Sequence, residues 1–325
     1  MADSLFRRTA RVIKKSQLFG FVKRMIKEKP LGTAGALITL VLLFTGIFAD
    51  YLAPYGYNEA HVVDKLMGPS SQYWMGTDNL GRDILSRIIY GARISAIVGL
   101  SASTIATVIS LILGILSGYL GGKFDLLTQR VVDTWMCVPQ LVLLMIIIAT
   151  VGPGMLQVIL VLGVSWGIVG SRIIRSAVIE IKQNVYIEAS KAIGCSTFRI
   201  LLKHILPNIM APTIILFTTR VPNVILVEAS LSFLGFGIPP PAPSWGGMLT
   251  GSARDYMFIA PWMAIWPGLA LSIVVFGVNM FGDAVRDILD PRLRGGAGRF
   301  GVKVKKTGEK KEVSEGSRKS SVDKK

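Results

Sequence analysis

Charge is the first thing this chain has little of. Only 17% of its 325 residues are charged, against 51% that are hydrophobic. That is too little charge to cover the surface of soluble domains of this total length. Histidine and cysteine are scarcer still, with 2 of each. His61 and His204 lie in separate polar segments and cannot assemble a zinc-type cluster. Cys137 falls in an apolar run and Cys195 in a basic segment, so no structural disulfide is expected. Catalytic motifs are missing as well. A phosphate-cradling loop needs G-x-x-x-x-G-K-[ST], and Gly121-Gly122-Lys123 lacks both the earlier glycine and the following hydroxyl. There is no H-E-x-x-H and no G-x-S-x-G. The apolar runs hold one arginine and one glutamate, Arg220 and Glu228. ATP hydrolysis, zinc hydrolysis and serine hydrolysis are excluded, and no active site or cofactor is expected.

What is present is long uncharged sequence. A hydrocarbon core about 30 Å thick takes roughly 20 apolar residues of helix. Leu31–Ala49, Ile94–Leu120 and Tyr256–Gly282 carry no charge. Thr134–Ser171 carries none either, is too long for one crossing, and is broken by Gly152-Pro153-Gly154. Ile209–Leu234 is apolar apart from Arg220 and Glu228. The runs are continuous and do not alternate, which rules out barrel strands. The first is too long and too far from the N-terminus for a signal peptide. The sequence therefore predicts an all-α integral membrane protein with about six transmembrane helices.

The net charge of +16 is unevenly placed. Basic residues crowd residues 1–30, the segment 172–208 and the stretch beyond Asp283, whereas 54–93 and 235–255 are near balance. With about six crossings the basic segments all fall on one side, and Lys and Arg accumulate on the cytoplasmic side. Both termini and the 172–208 loop are thus expected in the cytoplasm. No aromatic reading surface accompanies the charge, so a nucleic-acid partner is not expected. Residues 1–30 interleave Leu5, Phe6, Val12, Ile13, Leu18 and Phe19 with basic residues. This suits an amphipathic arm lying on membrane lipid. The tail 291–325 is Gly-, Lys- and Ser-rich and is expected to be disordered. Between arm and tail, 31–92 holds the first crossing and an outer loop, and 93–290 a core of five crossings.

Three features inside the runs stand out. Ala102, Ala106, Ser110, Gly114 and Gly118 recur every four residues, letting another helix approach closely. That helix could belong to this chain or to a partner subunit. Pro212, Pro222, Pro261 and Pro267 mark breaks of the kind tolerated where protein or a cavity covers the freed backbone. Arg220 and Glu228 are charges at depth, read as either pathway or gating residues or as structural tethers. Eight residues apart, they rise about 12 Å on a helix, too far for a direct pair.

The segment 172–208 carries the positive evidence. It contains Tyr186-Ile187-Glu188-Ala189-Ser190, then Gly194, then His204-Ile205-Leu206-Pro207, read as a short helix, a glycine turn and a second helix ended by proline. This spacing resembles the EAA signature of type I ATP-binding-cassette importer permeases. Glu188, Ala189, Gly194, Leu206 and Pro207 fall in place. Ser190 replaces the third-position alanine, and His204 stands where the general signature has isoleucine. Three further stretches resemble the dipeptide/oligopeptide/nickel branch of that family, in its second-permease form. They are Met75–Asp83, the pair Leu231–Gly237 and Pro243–Gly246, and Gly282–Arg294.

The resemblance implies a type I importer permease fold in the plasma or inner membrane of a prokaryote. It implies three kinds of partner: a second, related permease, two cytoplasmic ATPases, and an extracytoplasmic binding protein. The loop bearing Tyr186, Glu188, Ala189, Ser190, Gly194, Leu206 and Pro207 would seat on an ATPase and pass its motion to the crossings. Gly194 would supply a turn that needs positive φ. Dipeptides, oligopeptides, nickel chelates and oligosaccharides all remain open as cargo. A secondary transporter is the rival, and it would need coupling-ion sites and often internal repeats, neither of which is evident.

Overall fold

The computed structural model describes Gly20 and residues 22–289; most of the basic arm and all of the 291–325 tail lie outside the described residues. The fold is helical, and among the described residues there is no β-strand, only an isolated bridge between Thr77 and Asp83. Five helices are long and apolar enough to cross a membrane: α1 (Pro30–Ile47), α2 (Ile84–Leu120), α5 (Met155–Lys182), α8 (Met210–Phe233) and α9 (Trp262–Leu289). Between α2 and α5 lie α3 (Gly122–Met136) and α4 (Gln140–Val151), bent by 91° at their junction, which make a sixth crossing if taken as one broken span. Two short helices, α6 (Val185–Ala192) and α7 (Thr197–Ile200), follow α5.

Three boundaries differ from expectation. First, α2 begins ten residues before its uncharged run, at Ile84, because Asp83 caps it by accepting the Ser86 amide. A 37-residue helix at 1.5 Å per residue is longer than a bilayer core. Second, the first of the two spans expected in the Thr134–Ser171 run is not one straight helix but joins the end of α3 to α4. Pro139 cannot donate a backbone hydrogen bond and sits at the start of α4 with φ −53°, so the chain turns there. The break at Gly152-Pro153-Gly154 is where the sequence puts it, with Gly152 at φ +96°. Third, the basic loop starts later than 172. Arg172 and Arg175 belong to α5, where they pair with Asp133 and Asp125 of α3. A charge at a helix end can snorkel and pair, so it does not mark the end of the helix.

The small-residue stripe of α2 packs within this chain, against α5. An added Cβ at Gly114 would lie 2.6 Å from the Ile174 Cβ, and one at Gly118 2.9 Å from the Arg175 carbonyl. The fit is mutual, since Gly163 and Gly167 of α5 approach Ile105 and Ile109 of α2 equally closely. Ser110 Oγ donates to the Gly167 carbonyl at 2.9 Å. Without a hydrophobic drive between helices in lipid, such close backbone contact is what holds a bundle together. On the far side α1 lies on α9, where a Cβ at Gly35 would sit 2.3 Å from the Gly277 carbonyl.

Candidate coupling surface and buried charges

The segment after α5 folds as a small helical knuckle. α6 ends on a glycine turn in which the Cys195 amide donates to the Ser190 carbonyl at 3.0 Å and the Gly194 amide to the Lys191 carbonyl at 2.9 Å. Those two bonds define a Schellman stop with Gly194 as its left-handed residue. Its φ is +80°, and no atom lies within 4 Å of an added Cβ. Gly194 is needed for its dihedral angle and not for space. Pro207 does not end the second helix. Helical chain runs from Thr197 through a π-turn at Leu201–Ile205 and on to Asn208. The turn widens where the proline cannot supply an amide, and the break falls at Ile209, just before α8.

The knuckle has an inside and an outside. Ile187, Ile200, Ile205 and Ile209 are buried with Tyr119, Ile174, Val178 and Leu216, which joins the loop to α2, α5 and α8. Ser190 is buried and its hydroxyl donates to the Tyr186 carbonyl at 2.7 Å, so a serine serves where alanine is usual. Outward stand Tyr186, Glu188, Ala189 and Pro207, with Leu206 half-buried. Beside them are large apolar side chains that the sequence reading passed over: Val185 (79% exposed), Ile193 (79%), Phe198 (72%) and Leu202. The signal was available, as apolar residues interrupting a basic loop. An exposed apolar set on an ordered framework marks an interaction surface.

The two charges at depth do not meet. Arg220 reaches from α8 into the α2–α5 seam, where Nη1 donates to Ser110 Oγ at 3.2 Å and Nη2 to the Trp166 carbonyl at 2.8 Å. It passes over Gly170, where an added Cβ would lie 1.5 Å from Nη2. Glu228 is fully buried. Its Oε1 accepts from Ser232 Oγ at 2.7 Å, and Ser232 Oγ in turn accepts the Ile238 amide at 3.2 Å. Both charges point into the bundle of this chain, and their partners are neutral groups.

Against known proteins, residues 110–295 match the model of the family described as binding-protein-dependent transport system inner membrane component. The chain belongs to this family. It is 38% identical over 271 residues to the dipeptide transport system permease protein DppC of Alkalihalophilus pseudofirmus, covering 83% of this chain and 89% of that one. It is 38% identical over 275 residues to the glutathione transport system permease protein GsiD of Pectobacterium atrosepticum, covering 84% and 91%. The corresponding GsiD of Escherichia coli is 39% identical over 273 residues, covering 84% and 90%. Among solved structures, the inward-facing MetNI methionine transporter resembles it in fold, with a TM-score of 0.50 at 20% identity over 63% of this chain and 96% of that one. This chain is a membrane permease subunit of an ATP-binding-cassette importer.

Two of the permease's other family stretches, those within 75–83 and 231–246, sit at the opposite end of the bundle from the knuckle, whereas Gly282 lies toward the C-terminal end of α9, whose Asp287 pairs with Lys29. In Met75–Asp83, the Asp78 carboxylate accepts the Leu80 and Arg82 amides at 2.9 and 3.0 Å. Trp262 Nε1 donates to the Thr77 carbonyl at 3.2 Å. Tyr73 is buried and donates to Asp64 Oδ2 at 2.9 Å; burial, reinforced by Asp64, pushes its hydroxyl up to about 12. Trp245, from Pro243–Gly246, lies over Gly91 and donates from Nε1 to the Ile88 carbonyl at 3.1 Å.

Proposed function

We propose that this permease imports di- or oligopeptides as one of two permease subunits, with both termini in the cytoplasm and a separate ATPase docked on the 183–209 knuckle. The observation that carries the coupling role is the outward apolar set of Val185, Ile193, Phe198 and Leu202, held on a Schellman-stopped helix whose other face is locked into the bundle. A surface so anchored can pass a push on α6 directly to α5 and α8. Tyr186, Glu188, Ala189, Gly194, Leu206 and Pro207 shape that surface, and Ser190 stiffens it from within. The peptide reading is supported by relatives named for a dipeptide and for glutathione, both of which carry amides and free carboxylates.

Orientation follows from the basic loops on the knuckle side. A second permease would cover apolar surface such as the hollow of about 470 Å³ beside α4 and α5, lined by Trp135, Ile147, Leu156 and Leu160. An extracytoplasmic binding protein would deliver cargo at the other end. Arg220 and Glu228 act as tethers in this reading. Arg220 pins α8 across the α2–α5 seam, and Glu228 holds the 232–238 turn onto the end of α8.

Two measurements test the proposal. With Cys137 and Cys195 replaced, single cysteines at Asn58 and Arg254 should react with an impermeant thiol reagent in sealed cells. One at Asn184 should not, and its labelling would reverse the orientation. The permease should also leave the membrane with an ATPase subunit and drive ATP-dependent uptake of trialanine in liposomes. Uptake by the chain alone under an ion gradient would make it a secondary transporter.

A further inference from the structure

At the end of the bundle away from the knuckle, a cavity of about 230 Å³ opens between the 78–87 stretch, the 240–251 segment and the start of α9. Three charged side chains line it: Asp78, Arg82 and Arg87. The acid is already engaged. Asp78 Oδ1 accepts two backbone amides, and Oδ2 accepts from Arg82 Nε at 2.7 Å. Arg87 is the second cation on the same carboxylate, with its Nε 3.8 Å from Oδ2, beyond hydrogen-bonding distance. Its Nη1 donates to the Tyr57 carbonyl at 2.9 Å. The neighbouring acid, Asp83, is turned away to the Ser86 amide and hydroxyl. Glu59 faces His61 at 3.3 Å.

The pocket thus holds two guanidinium groups and one carboxylate. The Arg82 side chain is 12% exposed and the Arg87 side chain 8%. Cations this far from water need anions or full hydrogen bonding, and here one carboxylate is shared between two. A guanidinium fork is shaped to take a carboxylate through two parallel hydrogen bonds. The rest of the lining is of another kind. Ile84, Met248 and Met263 face the same space, and methionine adapts its shape to whatever it meets. A charged end with an adaptable apolar wall suits a ligand with a fixed carboxylate and a variable side chain.

We propose that this pocket receives the C-terminal carboxylate of a peptide as it enters the permease, with Arg87 as the receiving group and Arg82 holding Asp78 in place. The proposal rests on the peptide-import reading and on the end of the chain that reading assigns to the extracytoplasmic side. The test uses the intact complex of permeases, ATPases and binding protein in liposomes, with trialanine and its C-terminal amide as probes. Arg87→Lys keeps the charge and removes the fork. It should raise the KM for trialanine uptake at least tenfold. Uptake of the amide, basal ATPase activity and the affinity of the binding protein for the complex should stay as in wild type. Arg82→Gln should act in the same direction, and it carries the test if Arg87→Lys fails to assemble. Parallel loss of acid and amide uptake would make the arginines structural. An unchanged KM would leave the pocket without a role in uptake, and weakened binding-protein affinity would make it a docking point; each overturns the proposal. If the wild-type complex takes up neither probe, it is the peptide reading that fails.

Discussion

Gly246 and Gly194, at opposite ends of the bundle, are needed for opposite reasons. At the end carrying residues 53–83 and 234–261, Gly237 and Gly246 make room, Gly81 is held both by space and by a φ of +76°, and Gly235 and Gly251 by positive φ alone. An added Cβ would lie 2.0 Å from the Ala229 carbonyl at Gly246, 1.9 Å from Ser232 Oγ at Gly237, and 1.9 Å from the His61 carbonyl at Gly81. At the knuckle, Gly194 stands in open space and only its φ of +80° matters. The first end is packed within the chain around Trp245 and Trp262, each donating to a backbone carbonyl, and leaves Arg87 short of an anion. The other is ordered on its inner face and unfinished on its outer face. Damage to the first should be felt as lost folding, and damage to the second as lost coupling.

The largest effect is expected at the first end. Gly246→Val drives a branched side chain into the Ala229 backbone, which cannot move aside without shifting α8. Overpacking of this kind costs about 1–3 kcal/mol and sometimes more. Membrane levels should fall sharply, and any purified protein should melt well below wild type. A variant that accumulates and melts normally would mean that the 234–251 segment is not packed on α8 as described.

Gly194→Val should separate from it cleanly. A β-branched residue at positive φ is a genuine outlier, with strain on the order of 1–3 kcal/mol. At Gly194 itself the turn faces open space, and no other side chain would meet the added group. Membrane level and melting of the permease should match wild type, while peptide uptake is abolished and the ATPase no longer co-purifies. Gly194→Asn should restore much of the uptake, because asparagine tolerates the left-handed region. Wild-type transport by Gly194→Val with the ATPase bound would remove the knuckle from the coupling path.

A third test separates the two faces of the knuckle. Phe198→Ser and Ile193→Ser remove apolar surface that this chain does not itself bury. A centrally placed anchor at an interface is worth about 1–2 kcal/mol or more, so ATPase affinity should weaken by about tenfold for each, with no change in permease melting. Ile187→Ser, on the inner face, should lower the melting temperature instead. If the two classes behave alike, the inside–outside division is wrong.

Much of this was legible in the sequence, for reasons that can be traced to particular residues. Crossings show as long runs with little or no charge, so α1, α5, α8 and α9 all stand out in the sequence. The position of a bend is harder, because Pro139 sits in an apolar run and a proline there reads equally as a tolerated kink. The ends of α2 and α5 were misplaced because Arg87, Arg93, Arg172 and Arg175 look like loop residues until Asp78, Asp50, Asp133 and Asp125 are seen beside them. The α2 stripe gave a close contact without giving its partner, since Gly163 and Gly167 declare themselves only in three dimensions. The knuckle was marked by motif, yet its outward apolar set was overlooked, because a loop in sequence does not reveal which side chains it turns inward.

The smallest effect is expected from Glu188→Lys, and it probes the unfinished end most gently. Glu188 lies exposed in the first turn of α6. A carboxylate there is favoured by the partial positive charge of the helix N-terminus, by about 0.3–1 kcal/mol at an exposed site. Reversing the charge replaces that attraction with a comparable repulsion and frays the start of a helix only 8 residues long. The buried face, anchored by Ile187, should hold it in place. Uptake should therefore fall by roughly two- to tenfold and not vanish. Raised ionic strength should narrow the gap, because exposed charges are screened over about 10 Å at 0.1 M salt. Uptake rates at matched membrane levels, measured at low and high salt, check this. A complete loss insensitive to salt would mean that Glu188 makes a specific contact with the ATPase, and the electrostatic account of its role would then be wrong.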